Sequence, residues 1–144
     1  MKLVIQRVKK AAVKIENKLY SEIDKGYLIF VGFHKNDDEI TIKKASEKIV
    51  NLRIITDNQG KMNLNINQAQ GEILLVSQFT LIADTNQRRP SFIEAMKPEK
   101  AKKLYQLLIN FLKEKNVYLK TGQFGTYMEV ELINDGPVTI VMEI

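Results

Sequence analysis

Hydrophobic and polar positions alternate along this chain with two periods. Leu3-Val4-Ile5 and Ala12 to Glu16 predict two strands, the second alternating apolar and polar, with a turn at Glu16-Asn17-Lys18. Gly26 to Phe33 is apolar without a break between its glycines, the pattern of a central strand covered on both faces. Asp37-Asp38-Glu39 then marks a helix start, because carboxylates suit the N-terminal end of the helix dipole. Ile42, Ala45, Ile49 and Leu52 follow on one helical face. Arg53-Ile54-Ile55 leads to a turn at Asp57 to Gly60, and Ile73 to Val76 predicts a second buried strand running into Ser77-Gln78. Pro98-Glu99 opens a second helix, with Ala101, Leu104, Tyr105, Leu108, Phe111 and Leu112 as its apolar stripe and Lys113 and Lys115 at its end. Met128, Val130 and Leu132 alternate with Glu129 and Glu131, and Val138, Ile140 and Met142 alternate in the same way. These predict two strands joined by a turn at Asn134-Asp135-Gly136-Pro137. Asp84 to Ser91, which carries Arg88 and Arg89, is the least regular stretch and is expected to be a mobile loop. The pattern defines a mixed α/β (α+β) chain, rich in strands, with two main helices, no linker and no repeat, expected to fold as one domain over residues 1–144.

Composition narrows the chemistry. The 144 residues suffice for a substantial core. There is no Cys, so no disulfide framework and no thiolate metal site, which fits a reducing cytoplasm. The apolar stretch at Met1 to Arg7 is too short for a signal peptide, and no run approaches the roughly 20 residues of a membrane span. A net charge of +5 suits a polyanionic partner, although lysines spread over helix faces also serve solubility. With His34 the only histidine, a catalytic zinc site is not expected. Asp57 to Gly60 lacks the alternating ligands of a calcium loop, and no Gly-rich phosphate loop is present. His34 precedes a polar loop and reads as a solvated loop histidine or as a base; nothing in the spacing joins it to Ser77 or Ser91 in a triad.

Two segments remain. Ser77-Gln78-Phe79-Thr80 offers donors, acceptors and an aromatic face, or else is a polar strand end bonding to its own backbone. Asn134 to Thr139 is a tight turn, or a place where backbone meets a ligand. Neither contains a His, a Cys or a pair of carboxylates. An enzyme built on them works largely with its main chain.

At these two segments the chain resembles the D-aminoacyl-tRNA deacylases of the type that carries a Gly-cisPro motif. The likeness spans nearly the whole length. It includes Gln6-Arg7-Val8, Gly26, Leu28, Gly32, Leu52-Arg53, Asp57, Gly60 to Asn63, Ser77 to Leu81, Arg89-Pro90-Ser91-Phe92, Gly122, Phe124-Gly125 and Asn134 to Thr139. Asp84 to Arg88 departs from it, lacking the usual glycine before Arg-Pro-Ser-Phe, and Thr126 stands where an alanine is common.

The resemblance implies barrel-like mixed sheets with the two helices packed outside. It implies hydrolysis of the ester between a D-amino acid, or glycine, and the 3′-terminal adenosine of tRNA, with no metal or organic cofactor. It implies a homodimer in which Gly136-Pro137 of each subunit reaches the other's pocket, excluding L-amino acids. Ser77, Gln78, Phe79 and Thr80 are the implied catalytic segment, with backbone N–H groups of Phe79 and Thr80 meeting the oxyanion; Thr80 as a covalent nucleophile is the rival. Phe124 and Met128 are walls near the adenosine or ordinary core. Arg7 is a brace for the Gly-Pro turn or an isolated surface arginine. The contrasting reading is a non-catalytic nucleic-acid-binding homodimer on the same fold.

Overall fold

A computed structural model describes all of residues 1–144. Strands β1 (Lys2–Ile15), β2 (Lys18–Ile23) and β3 (Gly26–Gly32) come first, followed by helix α1 (Glu39–Asn51). The short strands β4 (Ile55–Thr56) and β5 (Met62–Leu64) form a separate pair before β6 (Glu72–Ser77). A 3-10 turn at Phe79–Ile82, helix α2 (Pro98–Glu114), β7 (Tyr118–Thr121) and β8 (Glu129–Glu143) complete the chain.

The two strands expected before the first turn are one. β1 continues through Gln6-Arg7 and Lys9-Lys10 because Arg7 is buried by hydrogen bonds while Lys9 and Lys10 point to solvent. The hairpin to β2 turns on Glu16 and Asn17, whose φ of 51° and 61° are the left-handed pair of a two-residue turn matched to strand twist. β3 runs antiparallel to the first half of β1 and parallel to β6, and β6 runs parallel to β7. The helices α1 and α2 are the crossovers that these parallel pairs require.

Asp38 caps α1 by accepting from Thr41 N at 2.9 Å, and Pro98 opens α2. The Asp84–Ser91 stretch is closed at its base by backbone bonds in both directions, 2.8 and 2.9 Å long.

The unbroken apolar runs are explained by a sheet covered on both faces. Tyr27, Ile29, Val31, Ile73 and Leu75 pack against α1 and α2 in the main core. Leu28, Leu74 and Val76 face the other way, meeting Val8, Ala11, Val13 and Ile23 in a second, smaller core. Around that inner core the sheet curls into a nearly closed barrel, and the Ser21 hydroxyl donates to Thr121 O at 2.9 Å across the seam between β2 and β7.

β8 corrects the expectation of two strands and a reversal. It is a single antiparallel partner of β1 along its whole length, with Gln6 opposite Thr139 and Val8 opposite Asn134. Only Arg7 stands opposite Asp135 to Val138, so these residues loop out of a strand that keeps its direction. A period of two on either side of a Gly-Pro pair cannot distinguish a hairpin from such a bulge.

Candidate functional site

β6 ends where β3 stops covering it. Gln78 N donates to Val31 O at 2.7 Å and extends the ladder by one residue; the chain then winds into the 3-10 turn. That turn lies against Gly32, where a Cβ would sit 2.8 Å from Gln78 O and 3.0 Å from Leu81 Cβ. Leu81 N bonds back to Gln78 O and Ala83 N to Thr80 O. The N–H groups of Phe79 and Thr80, first in the turn, have no acceptor within it and make none of the surrounding backbone bonds. Two adjacent main-chain donors are therefore free beside the end of β6.

They border a cleft of about 900 Å³. Ser77, Gln78 and Phe79 form one wall, Phe92, Lys97 and Pro98 another, and Phe124 and Met128 a third. The Phe79 and Phe92 rings meet edge to face, their centroids 5.0 Å apart. Phe124 rests on Tyr105 of α2, at 5.7 Å between centroids, and the Tyr105 hydroxyl donates to Leu75 O at 2.7 Å. Burial raises the Tyr105 phenol well above its ordinary pKa, and burial pushes that of Tyr27 up to about 12, so both stay protonated.

The only ionisable side chains on the cleft walls are Lys97 and Tyr127. His34 is elsewhere, its Nε2 3.1 Å from Glu94 Oε2 in a pair that also takes in Lys35. The Thr80 hydroxyl accepts from Gln78 Nε2 and has no base beside it. No three His, Cys, Asp or Glu side chains cluster as a metal site requires. Such a cleft has apolar walls to hold a planar group, main-chain donors to hold a negative oxygen, and neither a histidine nor a carboxylate to remove a proton.

The second segment lies apart. Arg7 pairs with Tyr27 and Ser77 with Val31, so on β3 the two sites stand four residues apart, or about 13 Å along the strands. Gly136 and Pro137 are exposed, and the bond between them is cis. Arg7 is not a surface residue: it is 7% exposed. Its Nε donates to Asp135 O at 2.8 Å, and its Nη1 to Ile54 O at 2.8 Å and Thr56 Oγ1 at 3.0 Å. The Asp135 carboxylate adds an ion pair at 3.7 Å.

Thus Ser77, Gln78, Phe79, Phe124 and Met128 share one cleft, with Thr80 beside it on the turn, while Gly136 and Pro137 form a separate exposed loop held by the buried Arg7. Sequence reasoning passed over Lys97 and Tyr127 as cleft residues; both lay in stretches read only as a helix start and a strand approach.

The architecture and its cleft are those of a known class of hydrolases acting on ester bonds. The profile of the family described as D-Tyr-tRNA(Tyr) deacylase matches residues 4–143. Curated relatives named D-aminoacyl-tRNA deacylase include one from Dictyoglomus turgidum, 51% identical over 99% of this chain and 92% of its own length. Another, from Staphylococcus haemolyticus, is 50% identical over 99% of this chain and 95% of its own length. Among solved structures, one titled c-Myc DNA Unwinding Element Binding Protein superposes with a TM-score of 0.94 at 37% identity, over 99% of this chain and 98% of its own. A probable eukaryotic D-amino acid tRNA deacylase shares the fold, with a TM-score of 0.85 at 15% identity, over 99% of this chain and 98% of its own. The chain belongs to the D-aminoacyl-tRNA deacylase family, and its substrate class is aminoacylated tRNA.

Proposed function

We propose that this protein is a chiral proofreader, acting in the cytoplasm as a homodimer of one-domain subunits. It hydrolyses D-aminoacyl-tRNA and glycyl-tRNA and spares L-aminoacyl-tRNA. The observation that carries the reading is the pair of free N–H groups at Phe79 and Thr80, beside a cleft that holds no histidine and no carboxylate and whose only ionisable side chains are Lys97 and Tyr127. An aminoacyl ester is already activated, so a water attacking with help from the neighbouring ribose hydroxyl needs mainly a stabilised oxyanion. One such donor contributes about 3–4 kcal/mol in well-studied cases.

Selection is assigned to Gly136-Pro137. These residues project from β8 well away from their own subunit's cleft, which supports delivery to a partner's cleft instead. A wall of main chain at the substrate Cα leaves no room for an L side chain. A D side chain points away, and glycine has none. Phe124 and Met128 hold the terminal adenosine, and Arg7 fixes the wall.

The test is to incubate the protein with D-Tyr-tRNA and L-Tyr-tRNA. Hydrolysis of the D form alone is expected; equal hydrolysis of both removes the chiral reading. A second reading, a nucleic-acid-binding homodimer without catalysis, draws on the neighbour titled as a DNA-element-binding protein. Failure to hydrolyse either ester, with tRNA still bound, would favour it.

A further inference from the structure

Asn134 is the last paired residue of β8 before the loop, opposite Val8. Its side-chain oxygen accepts from Val138 N at 2.7 Å, while its Nδ2 donates to Val138 O at 3.1 Å and to Thr139 Oγ1 at 3.1 Å. One side-chain amide thereby takes both backbone groups of the residue on the far side of the loop. Thr139 is the first residue to pair again with β1, and its Oγ1 also accepts from Gln6 Nε2 at 3.1 Å. The neck of the loop is thus tied from Asn134 to Val138 and Thr139, and from there to β1.

The tie matters because of what surrounds it. Val138 is the one buried residue of β8, 8% exposed and packed in the main core, so it is a fixed post. Arg7 holds the other side of the loop through Asp135 O. Between these posts, Gly136 and Pro137 are exposed. Among side chains, Asn134 alone bonds the N–H and the carbonyl of Val138 at the loop's exit.

We propose that Asn134 is a positioning residue for chiral selection: its amide, with Thr139 and Gln6 behind it, fixes the angle at which Gly136 and Pro137 leave β8. This inference rests on the reading of Gly136-Pro137 as the chiral wall. That wall must separate substrates differing only in the direction of one side chain, so a shift of about 1 Å is enough to admit the wrong one. Asn suits the place by its shape. Asp accepts from Val138 N but sets an oxygen against Val138 O, and Leu does neither.

The experiment compares kcat/KM for D-Tyr-tRNA and L-Tyr-tRNA in wild type, Asn134→Asp, Asn134→Leu and Gly136→Ala, with melting temperatures recorded alongside. The D-to-L ratio is expected to fall by about tenfold or more in Asn134→Leu and by less in Asn134→Asp, mainly because hydrolysis of the L ester rises. A merely structural role lowers both esters together and leaves the ratio unchanged. If Asn134→Leu does not fold, Thr139→Val, at an exposed position, removes the second anchor and should lower the ratio in the same direction. A ratio within about twofold of wild type in Asn134→Leu, or in Thr139→Val where the former does not fold, while Gly136→Ala changes it, overturns the inference and leaves the wall reading standing. An unchanged ratio in Gly136→Ala as well removes the wall reading and the inference together.

Discussion

The Nε of Arg7 lies 2.8 Å from the carbonyl oxygen of Asp135, the residue before Gly136. The same guanidinium holds Ile54 O and Thr56 Oγ1, so a single side chain on β1 ties the β8 loop to the segment after α1. Arg7→Lys keeps the charge but loses the fork that spans these acceptors. Each buried acceptor left without its donor costs about 1–3 kcal/mol. Arg7→Lys should therefore unfold at clearly lower urea than wild type and discriminate less between D- and L-Tyr-tRNA. Unchanged discrimination would show that the loop holds its position without the arginine.

Gly136 is crowded by its own neighbours. A Cβ there would lie 2.8 Å from Arg7 Nη2 and 2.8 Å from Val138 Cγ2, and its φ of +141° is one that L side chains rarely adopt. Gly136→Ala must therefore shift either the Arg7 side chain or the loop. Deacylation of D-Tyr-tRNA is expected to fall by about two orders of magnitude, the scale associated with small misplacements at a reacting centre. Normal turnover would separate the loop from catalysis.

Most of the fold was legible because the apolar runs follow the periods that the backbone imposes. The unbroken run at Gly26 to Phe33 marked the strand with both faces covered, and Asp38 and Pro98 marked the helix starts where they lie. The continuity of β1 was hidden because Arg7 looks like a break. Only its three acceptors, two of them from distant Ile54 and Thr56, make it a buried residue. The bulge in β8 was hidden because period two carries no direction. Within the site, the Ser77–Thr80 motif was visible, but the freedom of its N–H groups depends on Gly32, distant in sequence, allowing the turn to lie flat. The side-chain functions of Asn134 likewise depend on a loop closure that the sequence does not show.

The proposed main-chain catalysis makes a distinction that side-chain substitutions can read. Thr80→Ala removes a hydroxyl with no base beside it and should keep kcat within about tenfold, far from the losses of about 10⁶ that follow removal of a true nucleophile. Phe79→Pro removes the N–H as well as the ring, whereas Phe79→Ala removes the ring alone. Pro is tolerated at the first position of a helical turn. The Pro variant should therefore be slower than the Ala variant by about 10²–10³-fold. Single-turnover hydrolysis of D-Tyr-tRNA measures both, and equal rates would place the oxyanion elsewhere.

Acid should weaken the fold through a few identifiable carboxylates. Backbone and hydroxyl donation from Thr41 holds the Asp38 carboxyl below its usual pKa, and backbone donation from Lys61 does the same for Asp57. Lys35, with His34 adding to it, lowers that of Glu94. A carboxyl whose pKa is lower in the folded state contributes stability that is present above its unfolded value, about 3.9 for Asp and 4.3 for Glu. That contribution is lost as pH falls through the folded value. The melting temperature should thus change little on account of these groups from pH 7 to about 5, then drop as pH falls through and below about 4. Asn caps a helix about as well as Asp but does not titrate, so Asp38→Asn should lose less on acidification. An equal loss would place the acid sensitivity elsewhere.

The substrate's phosphates should be met by cations that the fold leaves unpaired. Arg7 and Arg53 are committed to protein acceptors, but Arg88 and Arg89 make no ion pair or hydrogen bond. They sit on the loop that closes at Ser91, immediately before Phe92 on the cleft wall. Lys97 lines the same cleft. Lys14, by contrast, is held by Glu131, which raises its pKa above the ordinary value. Affinity for tRNA should fall with salt, each phosphate contact contributing about 0.7–0.9 to the logarithmic slope. Replacing Arg88 and Arg89 together by Gln should reduce that slope by about 1–2 and raise KM for D-Tyr-tRNA with little change in kcat. Lys14→Gln, which removes a charge already paired, should leave the slope unchanged. A slope that falls equally in both variants would mean that net charge, and not the loop beside the cleft, holds the tRNA.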